Sequence, residues 1–245
     1  MNRPQIPTNS VALRLLRTAE GTALPPVAEM LSVLDGAERA RAARMQDTGT
    51  RSSFVAGRYA QRLLAADLLD VRVSDLASCF TCLSCGSEQG LPDHGRPGYS
   101  LNGEPVPLAL SLSRAAGFVL LAALDTRGAD PVPGACGVGV GVDLESVPGT
   151  AFDGFDDVAL TRAERDDVGR LPEVQRAAAR TRLWTRKEAL LKALGTGFAD
   201  RDPSQVDVLR DGRIQDLQGV DGIALEPEGL VAALAVTPLR TERRG

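Results

Sequence analysis

Two pairs of segments, far apart in the sequence, repeat the same apolar patterns. The segment RLLAADLL at 62–69 resembles EALLKALG at 188–195, and GFVLLAAL at 117–124 resembles GLVAALAV at 229–236. In each half of the chain a helical pattern comes first and an apolar strand that begins with glycine follows. This recurring order predicts an internal duplication and two similar α/β lobes.

Residues 126–136 lie between the two copies and are rich in glycine and proline, as is typical of a linker. We therefore predict an N-terminal lobe over 1–125 and a C-terminal lobe over 126–245. The predicted fold class is α/β (α+β), with two pseudo-symmetric lobes that each pack a small sheet against a long helix. We expect a monomer whose lobes resemble the halves of a dimer.

Hydrophobic periodicity gives a coarse map of the secondary structure. It predicts helices over 37–46, 53–69, 158–170 and 173–194, two strands around a turn within 108–124, and single strands over 137–146 and 230–236. Residues 78–107 are predicted to form a long loop because they are rich in cysteine, glycine, proline and serine, with the cysteines in the part over 78–98.

Composition argues against several classes of function. The net charge of −4 gives no reason to expect a nucleic-acid partner. No apolar run reaches the ~18 residues of a membrane span. Residues 1–20 lack the basic start and apolar centre of a signal peptide. We therefore expect a cytoplasmic protein with no membrane partner.

The single histidine, His94, makes a Ser-His-Asp or Cys-His centre a poor prediction. Cys79, Cys82 and Cys85 form a C-x2-C-x2-C run, which has the spacing of part of a zinc site. The fourth ligand would have to be His94 or Cys136. We favour three reduced thiols, and a zinc-dependent interaction module is the alternative.

The predicted strand over 137–146, GVGVGVDLES, alternates with a period of two. Asp143 and Glu145 therefore point to one face, about 7 Å apart, together with Gly139 and Gly141. Two carboxylates on one face repel each other unless a cation lies near them, and hard oxygen ligands select Mg²⁺ or Mn²⁺. The alternative is a pair of solvated acids at the end of a strand.

The predicted helix over 173–194 contains both lysines of the chain, Lys187 and Lys192, and its sole tryptophan, Trp184. Glu188 and Lys192 are one helical turn apart and share a face. Such a pair is either a helix-stabilising ion pair or part of a site that needs a compact ammonium group.

Taken together, these patterns resemble the signature of the Sfp-type 4′-phosphopantetheinyl transferases of the holo-[acyl-carrier-protein] synthase superfamily. The matching stretches are GVDLE at 141–145, WTRKEALLKALG at 184–195, HGRP at 94–97, SLSR at 111–114 and the spacing Phe54-x3-Arg58-x3-Arg62. The resemblance implies transfer of 4′-phosphopantetheine from coenzyme A to a serine of an acyl or peptidyl carrier protein. Such reactions serve fatty-acid, polyketide or nonribosomal peptide synthesis.

The resemblance also implies a role for each matching side chain of the second half. Asp143, Glu145 and Glu188 would hold Mg²⁺, or Mn²⁺ in its place, against the pyrophosphate of coenzyme A. Asp143, Glu188 and Lys192 would be the catalytic residues. Lys192 would contact the pyrophosphate, and Glu188, or a water near Glu145, would take the proton of the carrier serine.

Coenzyme A would be bound mainly by the first half. The residues implied are Arg51, Arg58, Arg62, His94, Gly95, Arg96, Pro97, Ser113 and Arg114, together with Lys192. Arg114 stands where the family usually has histidine, and arginine can bind a phosphate through two parallel hydrogen bonds. The alternative is a catalytically weak or inert coenzyme A-binding homologue with a regulatory or interaction role.

Overall fold

The computed structural model of the chain describes residues 11–18, 24–81, 96–127, 137–150, 152–196 and 201–239. Its strands are β1 (Val11–Arg17), β2 (Leu76–Thr81), β3 (Arg96–Leu101), β4 (Glu104–Pro105), β5 (Leu108–Ala115), β6 (Phe118–Asp125), β7 (Gly137–Ser146), β8 (Ile214–Leu217), β9 (Gly219–Val220), β10 (Ile223–Ala224) and β11 (Leu230–Leu239). Its α-helices are α1 (Val27–Val33), α2 (Gly36–Ala43), α3 (Thr48–Leu69), α4 (Phe155–Ala159), α5 (Arg162–Gly169) and α6 (Glu173–Leu194). No helix in these ranges combines the length and the apolar character needed to cross a bilayer.

The two larger sheets have the same plan. The first sheet has the strand order β1-β6-β5 and the second has β7-β11-β8, and all neighbours are antiparallel. In each sheet the first strand of that half of the chain pairs with the last strand. A third strand, which lies between them in the sequence, pairs with the other edge of the last strand. The predicted mixed α/β fold, with small sheets and long helices, is confirmed. The lobe boundary between 125 and 126 stays a prediction.

One hydrophobic core lies between the two sheets. Val138, Val140, Val142 and Leu144 are all buried in it, next to side chains of β6 and β11. The opposite face of β7 lies against α6, because Gly141 contacts the backbone of Ala189. The predicted alternation of β7 is therefore confirmed, and it directs the acidic face of the strand toward the long helix.

The long helices α3 and α6 have the same length of 22 residues. Each ends at a residue in the left-handed conformation, Asp70 with φ 54° and Gly195 with φ 75°. The predicted helix over 173–194 and its stop at Gly195 are confirmed. Glycine suits this cap because it has no Cβ to clash at positive φ.

The prediction of a continuous loop over 78–107 was wrong. Strands of a small sheet of order β2-β3-β4 occupy 78–81, 96–101 and 104–105 within it, with Leu76 paired to Leu101 and Phe80 paired to Pro97. The glycine and proline content led to the prediction of a loop, but Gly98 is required by the close approach of two paired strands. A Cβ at Gly98 would lie 2.9 Å from the carbonyl oxygen of Cys79 on the paired strand.

Several predicted residues lie outside the described part of the chain. They are Cys82, Cys85, His94, Gly95 and Cys136. Cys79 lies on β2 as a partly exposed free thiol. The prediction about zinc therefore stays untested.

Candidate functional site

Asp143 lies near the end of β7 and is the centre of a three-residue contact. Its Oδ1 accepts hydrogen bonds from Ser113 Oγ at 2.7 Å and from Lys192 Nζ at 2.6 Å. Lys192 Nζ also lies 3.2 Å from Ser113 Oγ. These side chains come from β7, β5 and α6, so residues of both halves of the chain meet at one carboxylate.

The second oxygen of Asp143, Oδ2, is buried and has no hydrogen-bond partner. A buried carboxylate oxygen without a partner costs free energy, about 1–3 kcal/mol or more for a charged group. A bound cation would remove this cost, because it would supply the partner that the protein does not. The orphaned oxygen is therefore the observation that favours a metal at Asp143.

Glu145 and Glu188 bring further negative charge to the same place. Burial, the largest effect, raises the pKa of Glu188, Lys192 opposes this and the charges of Asp143 and Glu145 add to it, so that the pKa is about 7. Burial and the charge of Asp143 also raise the pKa of Glu145, against Lys192 and a hydrogen bond from Trp184. The three carboxyl groups are thus close enough to repel one another.

The chemistry of this donor set fits a hard divalent cation, because it consists of three carboxyl groups, one of which has a buried oxygen without a partner. Among the described residues, no three metal-binding side chains are already gathered as a complete group. In the described arrangement Lys192 neutralises part of the charge at Asp143. A metal would have to draw Glu145 and Glu188 toward Asp143 Oδ2.

Close packing of β7 on α6 positions the carboxylates. A Cβ at Gly141 would lie 2.0 Å from the carbonyl oxygen of Ala189 and 2.5 Å from the amide nitrogen of Ala193. Only glycine allows the strand to approach the helix this closely. Because Ala189 and Ala193 are the neighbours of Glu188 and Lys192, this contact sets the distance between the helix side chains and Asp143.

An open cleft of about 660 Å³ adjoins Glu145. It is lined by Glu145, Phe152, Phe155, Asp157, Val158, Ala159, Trp184, Asp202, Pro203 and Ser204. Phe152 is 57% exposed and Val158 is 60% exposed, which is unusual for large apolar side chains. Phe155 packs edge-on against Trp184 with ring centroids 5.9 Å apart. The cleft can hold a largely apolar chain that starts at Glu145.

Arg114 lies half-buried beside α3. Its Nε donates to the carbonyl oxygen of Ser53 at 3.1 Å, and its guanidinium lies 5.5 Å from the centre of the Phe54 ring. Burial, together with the positive charges of Arg58 and Arg41, lowers the pKa of Arg114 to about 10. Three guanidinium groups are therefore close together, which produces a field that attracts anions.

Arg41 is a residue of this cluster that we did not predict as part of the coenzyme A site. Its guanidinium lies 5.4 Å from the centre of the Phe54 ring. A sequence signal for it is the arginine-rich run over 39–44.

Arg58 and Arg62 have internal partners. Arg58 Nε donates to Glu38 at 2.9 Å, and Arg62 Nη2 donates to Glu38 at 2.6 Å and to Asp35 at 2.8 Å. Arg62 also donates to the carbonyl oxygen of Leu76 at 2.5 Å and is fully buried. The charge of Arg62 is thus paired with acidic groups inside the fold. Arg62 is therefore not part of the coenzyme A site that we propose.

The remaining predicted residues lie at different places. Arg51 is exposed on α3. Arg96, on β3, donates to the carbonyl oxygen of Leu194 at 2.7 Å and packs on Gly195 at the end of α6. Pro97 pairs with Phe80 in the small sheet. Arg96 therefore links the first half of the chain to the helix that carries Glu188 and Lys192.

The raised pKa of Glu188 predicts how stability depends on pH in protein treated with EDTA. Because the folded-state pKa is about 7 and the ordinary value is 4.5, the folded protein binds more protons than the unfolded chain between these values. The free energy of unfolding should therefore fall as pH rises through this window, by about 1 kcal/mol after solvent screening is allowed for. Urea unfolding at a series of pH values measures this.

Glu188→Gln should flatten this pH dependence, since the glutamine does not titrate. Glu173→Gln is the matched control, because Glu173 is an exposed residue at the start of the same helix. A slope that is unchanged in Glu188→Gln would contradict the assignment of the dependence to Glu188.

Comparison with known families finds a match over part of the chain. Residues 139–222 match the family model described as ACPS, the 4′-phosphopantetheinyl transferase superfamily. A search of curated proteins with the whole chain finds no match. The matched segment contains Asp143, Glu145, Glu188 and Lys192. The part of the chain that holds the carboxylate cluster is therefore similar to a superfamily of enzymes that transfer 4′-phosphopantetheine.

Proposed function

We propose that this protein transfers 4′-phosphopantetheine from coenzyme A to a serine of an acyl or peptidyl carrier protein, as an Sfp-type enzyme. The observation that carries the proposal is the carboxylate cluster around Asp143, with its unpartnered oxygen, inside the segment that matches the superfamily. The products are the holo carrier protein and adenosine 3′,5′-bisphosphate. We further propose that the enzyme is a cytoplasmic monomer, with lobes over 1–125 and 126–245.

Asp143, Glu145 and Glu188 would hold Mg²⁺, for which Mn²⁺ could substitute. When bound, the ion would offset the negative charge of the pyrophosphate and polarise its oxygens. The unpartnered Oδ2 of Asp143 supports this assignment, since it is an acceptor already buried at the required place.

Glu188 is the proposed general base. In the metal-free protein burial is the main cause of its pKa of about 7, and a bound cation would lower that pKa and favour the carboxylate, which is the form that accepts a proton. The serine oxygen of the carrier attacks the phosphorus on the pantetheine side, and the serine proton passes to Glu188. The bond between that phosphorus and the bridging oxygen breaks, and the electron pair leaves with the bisphosphate. Lys192, beside Asp143, would neutralise the charge that develops there.

The apolar cleft beside Glu145 is the proposed place for the pantetheine arm. The arm is extended and uncharged, and the cleft presents Phe152, Phe155, Val158 and Trp184 next to Glu145. The chain would thus lie with its phosphate at Asp143 and its tail among the aromatic rings.

Arg114, with Arg41 and Arg58 near it, is the proposed site for the 3′-phosphate of coenzyme A. Arg114→Ala should raise the KM for coenzyme A about tenfold and change kcat little, because the contact is remote from the reacting bond. Steady-state kinetics with coenzyme A and with 3′-dephospho-coenzyme A measures this.

The wild-type enzyme should prefer coenzyme A over the dephosphorylated form, and Arg114→Ala should lose that preference. Arg72→Ala is the control, since Arg72 is exposed and pairs only with nearby Asp75 among the described contacts. A preference that survives in Arg114→Ala would show that Arg114 does not read the 3′-phosphate.

The test of the function is carrier loading. Apo carrier proteins of the fatty-acid, polyketide and peptide classes are incubated with coenzyme A and Mg²⁺ and analysed by mass spectrometry. A gain of one phosphopantetheine on a single carrier serine is the expected result. Coenzyme A binding by calorimetry without loading of any class would overturn the proposal and favour the inert homologue.

A further inference from the structure

Lys187 is a buried lysine for which the proposed reaction has no use. Its side chain is completely buried, although it lies on α6 next to Glu188. Three oxygen atoms surround its ammonium group. Glu164 Oε2 lies at 2.6 Å, and the carbonyl oxygens of Ala159 and Pro203 each lie at 2.7 Å. A compact ammonium with three donors satisfies this arrangement.

The two carbonyl groups belong to residues that line the cleft. Ala159 is the last residue of α4, and Pro203 begins a short 3-10 turn over Pro203–Gln205. These two elements are far apart in the sequence and come together at Lys187. The ammonium group therefore holds one wall of the cleft against another, from behind.

Glu164 is itself fixed by the backbone. It accepts from the amide nitrogen of Thr161 at 2.8 Å, as part of a capping box at the start of α5, and from the amide nitrogen of Val208 at 3.0 Å. Because both carboxylate oxygens are held in this way, Glu164 provides a rigid anchor for Lys187. The side chains of Lys187 and Glu164 are both completely buried.

From these contacts we infer that Lys187 is a positioning residue that sets the shape of the cleft beside Glu145. Without it, the buried carbonyl group of Ala159, the partly buried carbonyl group of Pro203 and a buried carboxylate would each lose a partner, and Ala159 and Pro203 would separate. The kinetic part of this inference rests on the proposed function, since the cleft is the proposed place of the pantetheine arm. The structural part does not depend on it.

The first half of the chain offers a matched control. Arg62 on α3 is also fully buried and pairs with Glu38, which is part of the capping box at the start of α2. Arg62 and Lys187 each lie eight residues before the left-handed cap of their helix. The two ion pairs are therefore equivalent in the duplicated fold, but neither Arg62 nor Glu38 lines the cleft.

The chain's sole tryptophan, Trp184, lines the cleft and reports on its shape. We expect Lys187→Met to raise the constant for acrylamide quenching of Trp184 fluorescence about twofold or more, because the cleft opens. Arg62→Met should leave that constant unchanged although it also loses a buried ion pair. Equal quenching in the two variants, or no change in Lys187→Met, would overturn the inference.

A gentler pair of variants covers the case in which the methionine variants do not fold. Glu164→Gln and Glu38→Gln each remove the charge of the buried acid but keep an oxygen acceptor. The Trp184 quenching constant should rise in Glu164→Gln and stay at the wild-type value in Glu38→Gln. The opposite pattern, or no difference, would contradict the role of the Lys187 pair.

Kinetics separates this role from general destabilisation. Lys187→Met should raise the KM for coenzyme A about tenfold and lower kcat by less than about threefold. The effect on kcat is small because the proposed metal ligands and Lys192 are positioned by contacts other than those of Lys187. A fall in kcat alone would contradict the inference. If the wild-type protein loads no carrier, the proposed function fails while the fluorescence test still decides the role of Lys187.

Discussion

Asparagine in place of Asp143 is expected to lower the rate of phosphopantetheine transfer by about a thousandfold, which corresponds to about 4 kcal/mol of transition-state stabilisation. The amide keeps the shape of the side chain and can still accept from Ser113 and Lys192. It loses the charge that would bind a cation at the unpartnered Oδ2. The fold should survive, because the substitution leaves no cavity.

Initial rates of carrier loading at saturating coenzyme A measure this effect, and circular dichroism with thermal unfolding checks the fold. Asp125→Asn is the control. Asp125 also lies at the end of a strand, but its partner is the exposed Arg127. A loading rate for Asp143→Asn within tenfold of the wild type would rule out Asp143 as a metal ligand in the reaction.

The two elements of the second half that carry the site were predicted well because their signals are local, whereas the predicted helix over 158–170 is divided into Phe155–Ala159 and Arg162–Gly169. The alternation in β7 and the helical pattern of α6 each persist over many residues, and the structure has both elements at the predicted bounds. The same periodicities placed Asp143 with Glu145 and Glu188 with Lys192. The two pairs come together because Gly141 lets β7 approach α6 closely. This role of Gly141 could not be predicted, because it depends on the helix backbone that lies against it.

The first half was harder to predict because its elements depend on contacts far along the chain. β1 was not predicted, since VALRLLR contains two arginines and gains its stability by pairing with β6. The partner of Asp143 on β5, Ser113, was predicted only as a coenzyme A contact. Its hydrogen bond to Asp143 depends on how the two sheets pack.

Comparison of the two long helices shows where the two halves of the chain differ. Glu188 lies seven residues before Gly195, and Leu63 lies seven residues before Asp70. Lys192 and Asp67 correspond in the same way. The first helix thus has a 41% exposed leucine and an acid where the second has the proposed base and its lysine. Both halves keep the buried ion pair to a capping-box glutamate, so the scaffold is repeated and the chemistry is not.

Alanine in place of Gly141 is expected to be the most damaging of the small substitutions in the fold. The added Cβ would meet backbone atoms of Ala189 and Ala193 at 2.0 and 2.5 Å, and backbone cannot turn aside as a side chain can. β7 and α6 must separate, at a cost of about 3 kcal/mol or more. For a chain of this size the Tm should fall by about 6–12 °C.

The same substitution should also reduce transfer at temperatures where the protein is folded, because Asp143 and Glu188 move apart. Differential scanning calorimetry and carrier loading below the transition measure the two effects separately. Gly169→Ala is the matched control, since a Cβ there meets nothing within 4 Å and a helical alanine is favourable. A Tm for Gly141→Ala within about 2 °C of the wild type would mean that β7 does not approach α6 this closely, and the geometry of the carboxylate site would have to be revised.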